Sequence, residues 1–418
     1  MCSKTSITEI LGINDTNLEI LANSKKIIKG VEYTVLSGRL TYTPNYCPKC
    51  RCENEKYDIV KNGSQTVKVL FNRVNVNPLL LIIKKQRFYC KHCEATFMAE
   101  TPLTDKGCFI SRDVKKSIVL DLCEIKSMSL IAREHVVSPT TVLRVLHSTE
   151  TKRKKSYLPR TLSIDEFKSV KRVEGAMSVN ITDVESGCIF EILSDRRKAC
   201  LSNYFYSYPR RVREKVEFVI TDMYSPYIDL ARKVFPNAKI IIDKFHIVQL
   251  LTRNLNKLRI NEMNGFDTKS REYKVLKTYW KILLAKKWDL NSIHFYKNKY
   301  FRQFTCSVDI LDDMLRISPE IREAHQFYQQ FLLSIEKNDI EIFRFILNTN
   351  KNEIPECFRK SIKTFSNLKK YILNTLKFQY TNGMVEGKNN KIKVIKRLSF
   401  GYANFRNFRL RILLMERL

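Results

Sequence analysis

Two short stretches constrain this chain more than any others. LSIDEF at residues 162–167 is an apolar, strand-like run with an acid, Asp165, set inside it. VEFVITDMYSPY repeats the pattern, its apolar residues 218–220 leading directly to Asp222. A buried strand rejects a lone carboxylate unless a partner or a cation compensates it. A third acid, Glu386, stands in the strongly basic segment YTNGMVEGKNNKIKVIKR. The expectation is that Asp165, Asp222 and Glu386 converge on divalent metal.

The pattern around these acids predicts a mixed sheet. Residues 162–167, 176–182 and 188–193 read as three consecutive strands, with Gly175 and Gly187 in the turns. A helix is predicted within 200–208, then a strand at 218–221, a helix at 225–234 and a fifth strand at 238–242 ending at Asp243. Three strands followed by alternating helix and strand is the order of an RNase H-like fold. Its strands one and four place their acids side by side. Residues 247–377 carry Leu, Ile and aromatic residues at three- and four-residue spacing, as in LLTRNLNKLRI and YKVLKTYWKILLAKKW, which predicts an all-α insertion. Its aromatic residues are read as core, and Pro319 and Pro355 as helix breaks. Glu386 should begin a helix after the turn at 381–383.

Ahead of this core, CPKC at Cys47 and Cys50 and CKHC at Cys90 and Cys93 suit tetrahedral zinc, because each turn delivers two thiolates to one side of the ion. The intervening segment holds two strand-like runs, 66–71 and 79–83, so a small zinc-binding β module is expected. Cys52 and His92 lie close enough in sequence to substitute as ligands. Four thiolates leave no open position, which makes the site structural. Lys84, Lys85, Arg87 and Lys91 would remain on the module's surface for phosphates. Residues 1–40 show short apolar segments and little else. Next, Ser111 is a plausible N-cap for a helix to about residue 124, and SMSLIAREHVVSPTTVLRVLHS reads as two short helices around a tight turn. Ser138 followed by Pro139 is a good start for the second. Ile131, Ala132, Val137, Val142 and Val145 form the inner face of this helix-turn-helix, and Thr140, Thr141 and Arg144 face outward toward a major groove.

Charge makes a polyanion the first candidate partner, with ribosome association or a membrane surface as the alternatives. The chain of 418 residues has 74 Lys and Arg against 43 Asp and Glu, a net of +31, which points to a polyanion. Lys152, Arg153, Lys154 and Lys155 sit in a basic linker at 151–160. From residue 387 onward nine Lys and Arg, among them Lys388, Lys391, Lys393, Lys396 and Arg397, stand against the single acid Glu416. Both stretches are expected to run along DNA phosphates. No apolar run reaches the roughly 18 to 20 residues of a transmembrane helix, and MCSKTSITEI lacks the layout of a secretory signal. A soluble, cytoplasmic protein is expected, with its twelve cysteines reduced or metal-bound.

SIDEF, VITDMYSPY, DKFHIVQ and the tail NGMVEGKNNKIKVIKRLSFGYANFRNFRLRI together resemble the DDE transposases of bacterial insertion sequences, most closely the ISL-three family. The resemblance covers nearly the whole chain. It implies an α/β multidomain protein in which a zinc module (1–100), a helix-turn-helix (101–150) and the linker precede an RNase H-like core. That core is split into 161–246 and 378–418 by the all-helical insertion 247–377. Carried over residue by residue, Asp165 and Asp222 are the two aspartates and Glu386 the closing glutamate. They would hold Mg²⁺ or Mn²⁺, beside a structural Zn²⁺ on the cysteines. Asp243 and His246 match the D-x-x-H element of related transposases and would support the active site. The implied activity is binding of terminal inverted repeats, cleavage at their 3′ ends and transfer to target DNA by a homodimer or higher assembly. Two other readings use the same residues: a nuclease of this fold without strand transfer, and a DNA-binding regulator with an inactive core.

Overall fold

The computed structural model describes residues 8, 11–171, 173, 175–378, 380, 383–398 and 402–416, without the side chains of 383–386 and 398. Two compact units emerge, one made of residues up to 152 together with those from 393, the other of residues 153–392.

In the first unit, strands β1 (Leu18–Ile28), β2 (Val31–Leu40), β3 (Ile59–Val74), β4 (Asn77–Cys90) and β5 (Thr96–Met98) make one sheet in the order β1-β2-β4-β3, with β5 against β4. Leu79, Leu81 and Ile83 alternate along β4 and pack with Val69, Phe71, Leu36 and Leu40. The period of two selects that face. Pairing of β2 with β4 is parallel, Thr34 opposite Leu79 through Leu40 opposite Lys85. Three helices follow: α1 (Arg112–Cys123), α2 (Met128–Glu134) and α3 (Pro139–Ser148). Each has a serine cap, Ser111, Ser127 and Ser138 accepting from Val114, Leu130 and Thr141 N–H. These caps satisfy donors that a helix start leaves open. Val114, Ile118, Leu122, Ile131, Ala132, Val142, Val145 and Leu146 close the helical core.

The second unit is built on the sheet β10-β9-β6-β7-β8. Its strands are β6 (Thr161–Lys168), β7 (Met177–Asp183), β8 (Cys188–Leu193), β9 (Phe218–Thr221) and β10 (Lys239–Ile242). β6, β7 and β8 are antiparallel neighbours, whereas β9 runs parallel to β6 and β10 parallel to β9. Leu162, Ile164, Val179, Ile181, Val219 and Ile242 join the main core. The alternate positions, Thr161, Ser163, Ser178, Asn180 and Thr182, are buried polar groups. The face opposite the main core is therefore polar on β6 and β7, whereas Phe218, Ile220 and Ile241 of β9 and β10 give it a small apolar cluster of their own.

Helices α4 (Lys198–Tyr206), α5 (Arg210–Arg213) and α6 (Ser225–Val234) connect its strands, and α7 (Lys244–Asn264) leaves β10. Then come α8 (Arg271–Thr278), α9 (Trp280–Leu284), a short hairpin β11 (Tyr296–Lys297) and β12 (Phe304–Thr305), α10 (Ser307–Ile317), α11 (Pro319–Glu336), α12 (Ile340–Asn348), α13 (Glu356–Asn367) and α14 (Lys369–Phe378). The expected all-α insertion is thus corrected in one place. Tyr296 pairs with Thr305 and Lys297 with Phe304 in a two-stranded ladder. These residues are largely exposed and too few to give a strand period. α14 covers the edge strand β10, Thr375 Oγ1 accepting from Ile242 N–H at 3.0 Å and Asn374 Nδ2 donating to Ile240 O at 2.9 Å. An edge covered this way cannot recruit a foreign strand.

α15 (Gly383–Leu398) begins in the second unit and ends in the first, to which α16 (Phe405–Met415) also belongs. Leu410 and Leu414 of α16 complete the core of α1 to α3. Arg411 Nη2 donates to the backbone carbonyls of Glu124 and Lys126 at 2.8 and 2.9 Å, just past the end of α1. The apolar face of α16 thus finds its partners among 112–148.

Candidate active site and metal centre

The carboxylates lie on the face of the second sheet opposite its main core. Ser163 of β6 stands opposite Ile220 of β9 in parallel register, and two residues further along each strand are Asp165 and Asp222. Ile242 of β10 stands opposite Thr221, and Asp243 follows it. Three acids therefore leave three neighbouring strands at matching positions. Asp243 is buried and caps α7, accepting from Phe245 N–H at 3.1 Å, and its Oδ2 is 3.8 Å from His246 Nε2.

Burial raises the carboxyl of Asp165 above its ordinary range, and the charges of Asp243 and Asp222 push the same way against His246. Asp222 is raised by the same burial, with Glu166 and Asp243 adding to it. Against this, the Glu166 N–H donates to Asp165 Oδ1 at 2.7 Å, and the Tyr224 N–H to Asp222 Oδ1 at 3.0 Å. Hard oxygen donors crowded in a low-dielectric setting suit a divalent cation such as Mg²⁺, which takes carboxylates and keeps waters.

A residue given no role by sequence joins them. Asn389 of α15 donates from Nδ2 to Asp165 Oδ2 at 2.6 Å, and its Oδ1 accepts from Asn180 Nδ2 at 3.3 Å. Asn180 lies opposite Asp165 on β7 and accepts from Thr182 Oγ1 at 3.2 Å. Glu386 lies on α15 three residues before Asn389, but its side chain falls outside the described residues. Glu166 points to the apolar face, where Arg196 holds it at 2.8 Å and Tyr227 Oη donates to it at 2.5 Å. Neither Asn180 nor Asn389 carries a sequence signal, because an Asn on a strand or helix shows its partner only once the chain is folded.

The second site is made of sulfur. Among the described residues, Cys47, Cys50, Cys90 and Cys93 form the one group of three or more potential metal ligands whose donor atoms all lie within 4.8 Å of one another. Cys47 and Cys93 sulfurs are 3.7 Å apart, as are those of Cys50 and Cys90. A tetrahedron with zinc–sulfur bonds of about 2.3 Å has edges of about 3.8 Å, so the thiols already stand at zinc spacing. Although burial opposes it, the N–H of Cys93 and the neighbouring thiols bring the Cys90 thiol down to about 6. His92 is exposed and outside the group, and Cys52 is outside it as well.

The basic residues fall into two kinds. Thr140 and Arg144 are exposed on α3, and Thr141 is half-buried with its Oγ1 3.0 Å from Ser138 Oγ. Lys152, Lys154, Lys393 and Arg397 are exposed, while Lys388, Lys391 and Lys396 are half-buried. In the linker, two cations turn to the protein's own rings. Arg153 lies 4.0 Å from the centre of Phe190, and Lys155 stands 4.1 and 4.5 Å from Tyr208 and Tyr204. Contacts of this kind stabilise by about 0.5 to 2 kcal/mol.

A family model described as "Transposase", for DDE transposases of the ISL-three type, matches residues 162–412. That is more than half of the chain, and the protein belongs to this transposase family. Among curated proteins, one from Lactococcus lactis subsp. lactis, described as an "ATP-dependent protease", is 40% identical over 106 residues. The match covers 25% of this chain and 34% of that protein, so the chain spans about a third of the relative's length. Membership of the family implies DNA as partner and divalent metal in the reaction. No helix among the described residues is long and apolar enough to cross a membrane.

Proposed function

We propose that this transposase binds the terminal inverted repeats of an insertion sequence, cleaves at their 3′ ends and transfers them to target DNA with Asp165, Asp222 and Glu386. The observation that carries the reading is the register of β6 and β9, with α15 joined to Asp165 through Asn389. The sheet order and mixed directions support an RNase H-like core. One turn of α15 separates Glu386 from Asn389. The bond from Asn389 to Asp165 accordingly brings the glutamate's part of the helix to the acids. Residues 112–148, with three capped helices, are read as a helix-turn-helix domain whose Thr140 and Arg144 face a major groove.

Asp165, Asp222 and Glu386 would hold two divalent cations, which supply activation of the attacking oxygen and neutralisation of the leaving one. The chain does the positioning. Asn389 and the Glu166 N–H fix both oxygens of Asp165, and the Tyr224 N–H fixes Asp222. Asp243 pins the start of α7 and keeps His246 beside the acids. The exposed Lys393 and Arg397 attract the phosphate backbone. The cysteine module has no open position for chemistry and serves as a zinc-stapled platform. A homodimer or larger assembly follows from the need to hold two element ends.

The test is a cleavage and strand-transfer assay on labelled element-end DNA with Mg²⁺ or Mn²⁺, wild type beside Asp222→Asn, DNA binding being measured for both. Joined product from wild type alone, with binding retained in the variant, is expected. Cleavage without joining would make the protein a nuclease, and tight binding without chemistry under either metal would make it a regulator.

A further inference from the structure

The metal centre has one thiol more than a tetrahedral ion takes. Its two Cys-x-x-Cys turns share a backbone plan. Cys47 N–H donates to Cys52 O at 2.9 Å, and Cys90 N–H donates to Ala95 O at 2.9 Å. The residue before each acceptor is left-handed, Arg51 at φ 62° and Glu94 at φ 55°. Cys52 and Ala95 thus hold the same place in the two turns. A methyl group suffices in the second, so the turn closes without sulfur there.

In the first turn that sulfur has a specific neighbour. Cys52 Sγ lies 3.5 Å from Cys90 Sγ, closer than either ligand pair at 3.7 Å. Cys52 is half-buried, whereas Cys90 is fully buried. A small soluble oxidant therefore reaches Cys52 before Cys90. Its partner for condensation is already in contact, and a disulfide at about 2.05 Å needs a closure of only about 1.5 Å.

We propose that Cys52 is an oxidation trigger for the zinc module, an inference that rests on the zinc reading of the four cysteines. A hydroperoxide gives its terminal oxygen to the Cys52 sulfur, forming a sulfenic acid and releasing water or an alcohol. The Cys90 thiolate then attacks that sulfur, the S–S bond forms, and the sulfenic oxygen leaves as hydroxide, which takes up a proton to become water. Two electrons pass from the thiol pair to the peroxide. The ion keeps three sulfur ligands and is lost, and with it the folding free energy that metal binding supplied. A dithiol reductant exchanges with the disulfide and restores both thiols.

The experiment uses the full zinc-loaded chain, hydrogen peroxide and a chromophoric zinc chelator, followed by peptide mapping by mass spectrometry. Zinc content is measured before oxidant is added, so that a chain holding no zinc refutes the metal reading itself rather than the trigger. Cys52→Ala, which copies the Ala95 turn, is expected to bind one zinc per chain like wild type. Its zinc should leave roughly ten-fold more slowly once the half-buried thiol beside Cys90 is gone. Wild type should yield a Cys52–Cys90 linked peptide that dithiothreitol removes, with zinc rebinding afterwards. Equal release rates would overturn the proposal, as would a disulfide between another pair. Loss of zinc from Cys52→Ala would overturn it too, by making Cys52 a ligand.

Discussion

The sulfur site and the carboxylate site solve opposite problems. The four cysteines stand at the spacing of a zinc tetrahedron, on two turns of matching backbone plan, over an apolar core. Sulfurs in contact with one another and supported by backbone N–H groups tolerate that crowding, so the site can assemble before its ion. Asp165 and Asp222 are raised by burial and by each other's neighbours, and Asn389 and backbone N–H groups hold them in place. Here the folded chain bears a cost that a cation relieves. On the proposed reading, a structural metal site gathers its ligands, whereas a catalytic one keeps its ligands waiting under tension.

The largest expected effect tests the first half of this contrast. Cys90→Ser, or chelation, should remove metal-coupled folding free energy on the order of 10 kcal/mol. Zinc content and proteolysis of residues 11–100 would register the loss, and a module that stays protected without zinc would break the comparison. At the second site, Asp222→Asn should lower strand transfer more than about a hundred-fold, beyond the range for outer-shell partners. Asn389→Ala removes only the orienting bond to Asp165, and a fall of about 10- to 100-fold with DNA binding intact is expected. Equal losses in the two variants would show Asn389 to be a ligand in its own right.

Smaller effects sharpen the electrostatics. Asp121 lies buried enough to resist ionisation, yet Lys126 at 2.8 Å and His135 at 2.6 Å draw its carboxyl below the usual range. A lowered folded pKa gives stability that is present above the ordinary carboxylate range and fades as pH falls through the lowered value. Asp121→Asn should cost about 1 to 2 kcal/mol at neutral pH, read by denaturant titration, and nothing once the wild-type group is protonated. Asp222 has the reverse sign. Its folded pKa is raised, so stability declines as pH climbs from the ordinary carboxylate range through the raised value, and the penalty is complete above it. In metal-free protein at neutral pH, Asp222→Asn should therefore raise Tm by about 2 to 4 °C for each kcal/mol relieved. Added Mg²⁺ should shrink that gap by stabilising wild type.

Much of the fold could be read from the residues, for reasons that also explain the gaps. Residues 218–221 and 188–193 are dense apolar runs, and the strands fall on them. Ser111 and Ser138 marked helix starts because their side chains act locally, within three residues. β1 and β2 were illegible, since β1 is mostly exposed and β2 finds β4 only by a parallel pairing across the intervening strand. Asp165 and Asp222 announced themselves as charges where apolar pattern should have continued. Asn389 did not, because its partners Asp165 and Asn180 lie more than 200 residues away. The thiol pairs were visible as spacing, but the choice of four from five needed coordinates.

The closing helix bears on how this chain is made. His147 Nε2 and Asn407 Oδ1 meet at 2.7 Å across 260 residues, and Leu410 and Leu414 fill the core begun by Val114 and Ile118. During synthesis, α1 to α3 leave the ribosome long before α16 exists. Contacts of such separation form late and slowly. A product broken off anywhere before residue 405 leaves that helical core open, with Val142 and Leu146 lacking their cover. Unfinished chains would thereby offer apolar surface to proteases, and DNA binding through α3, if it acts as proposed, would be a property of polypeptides translated through α16.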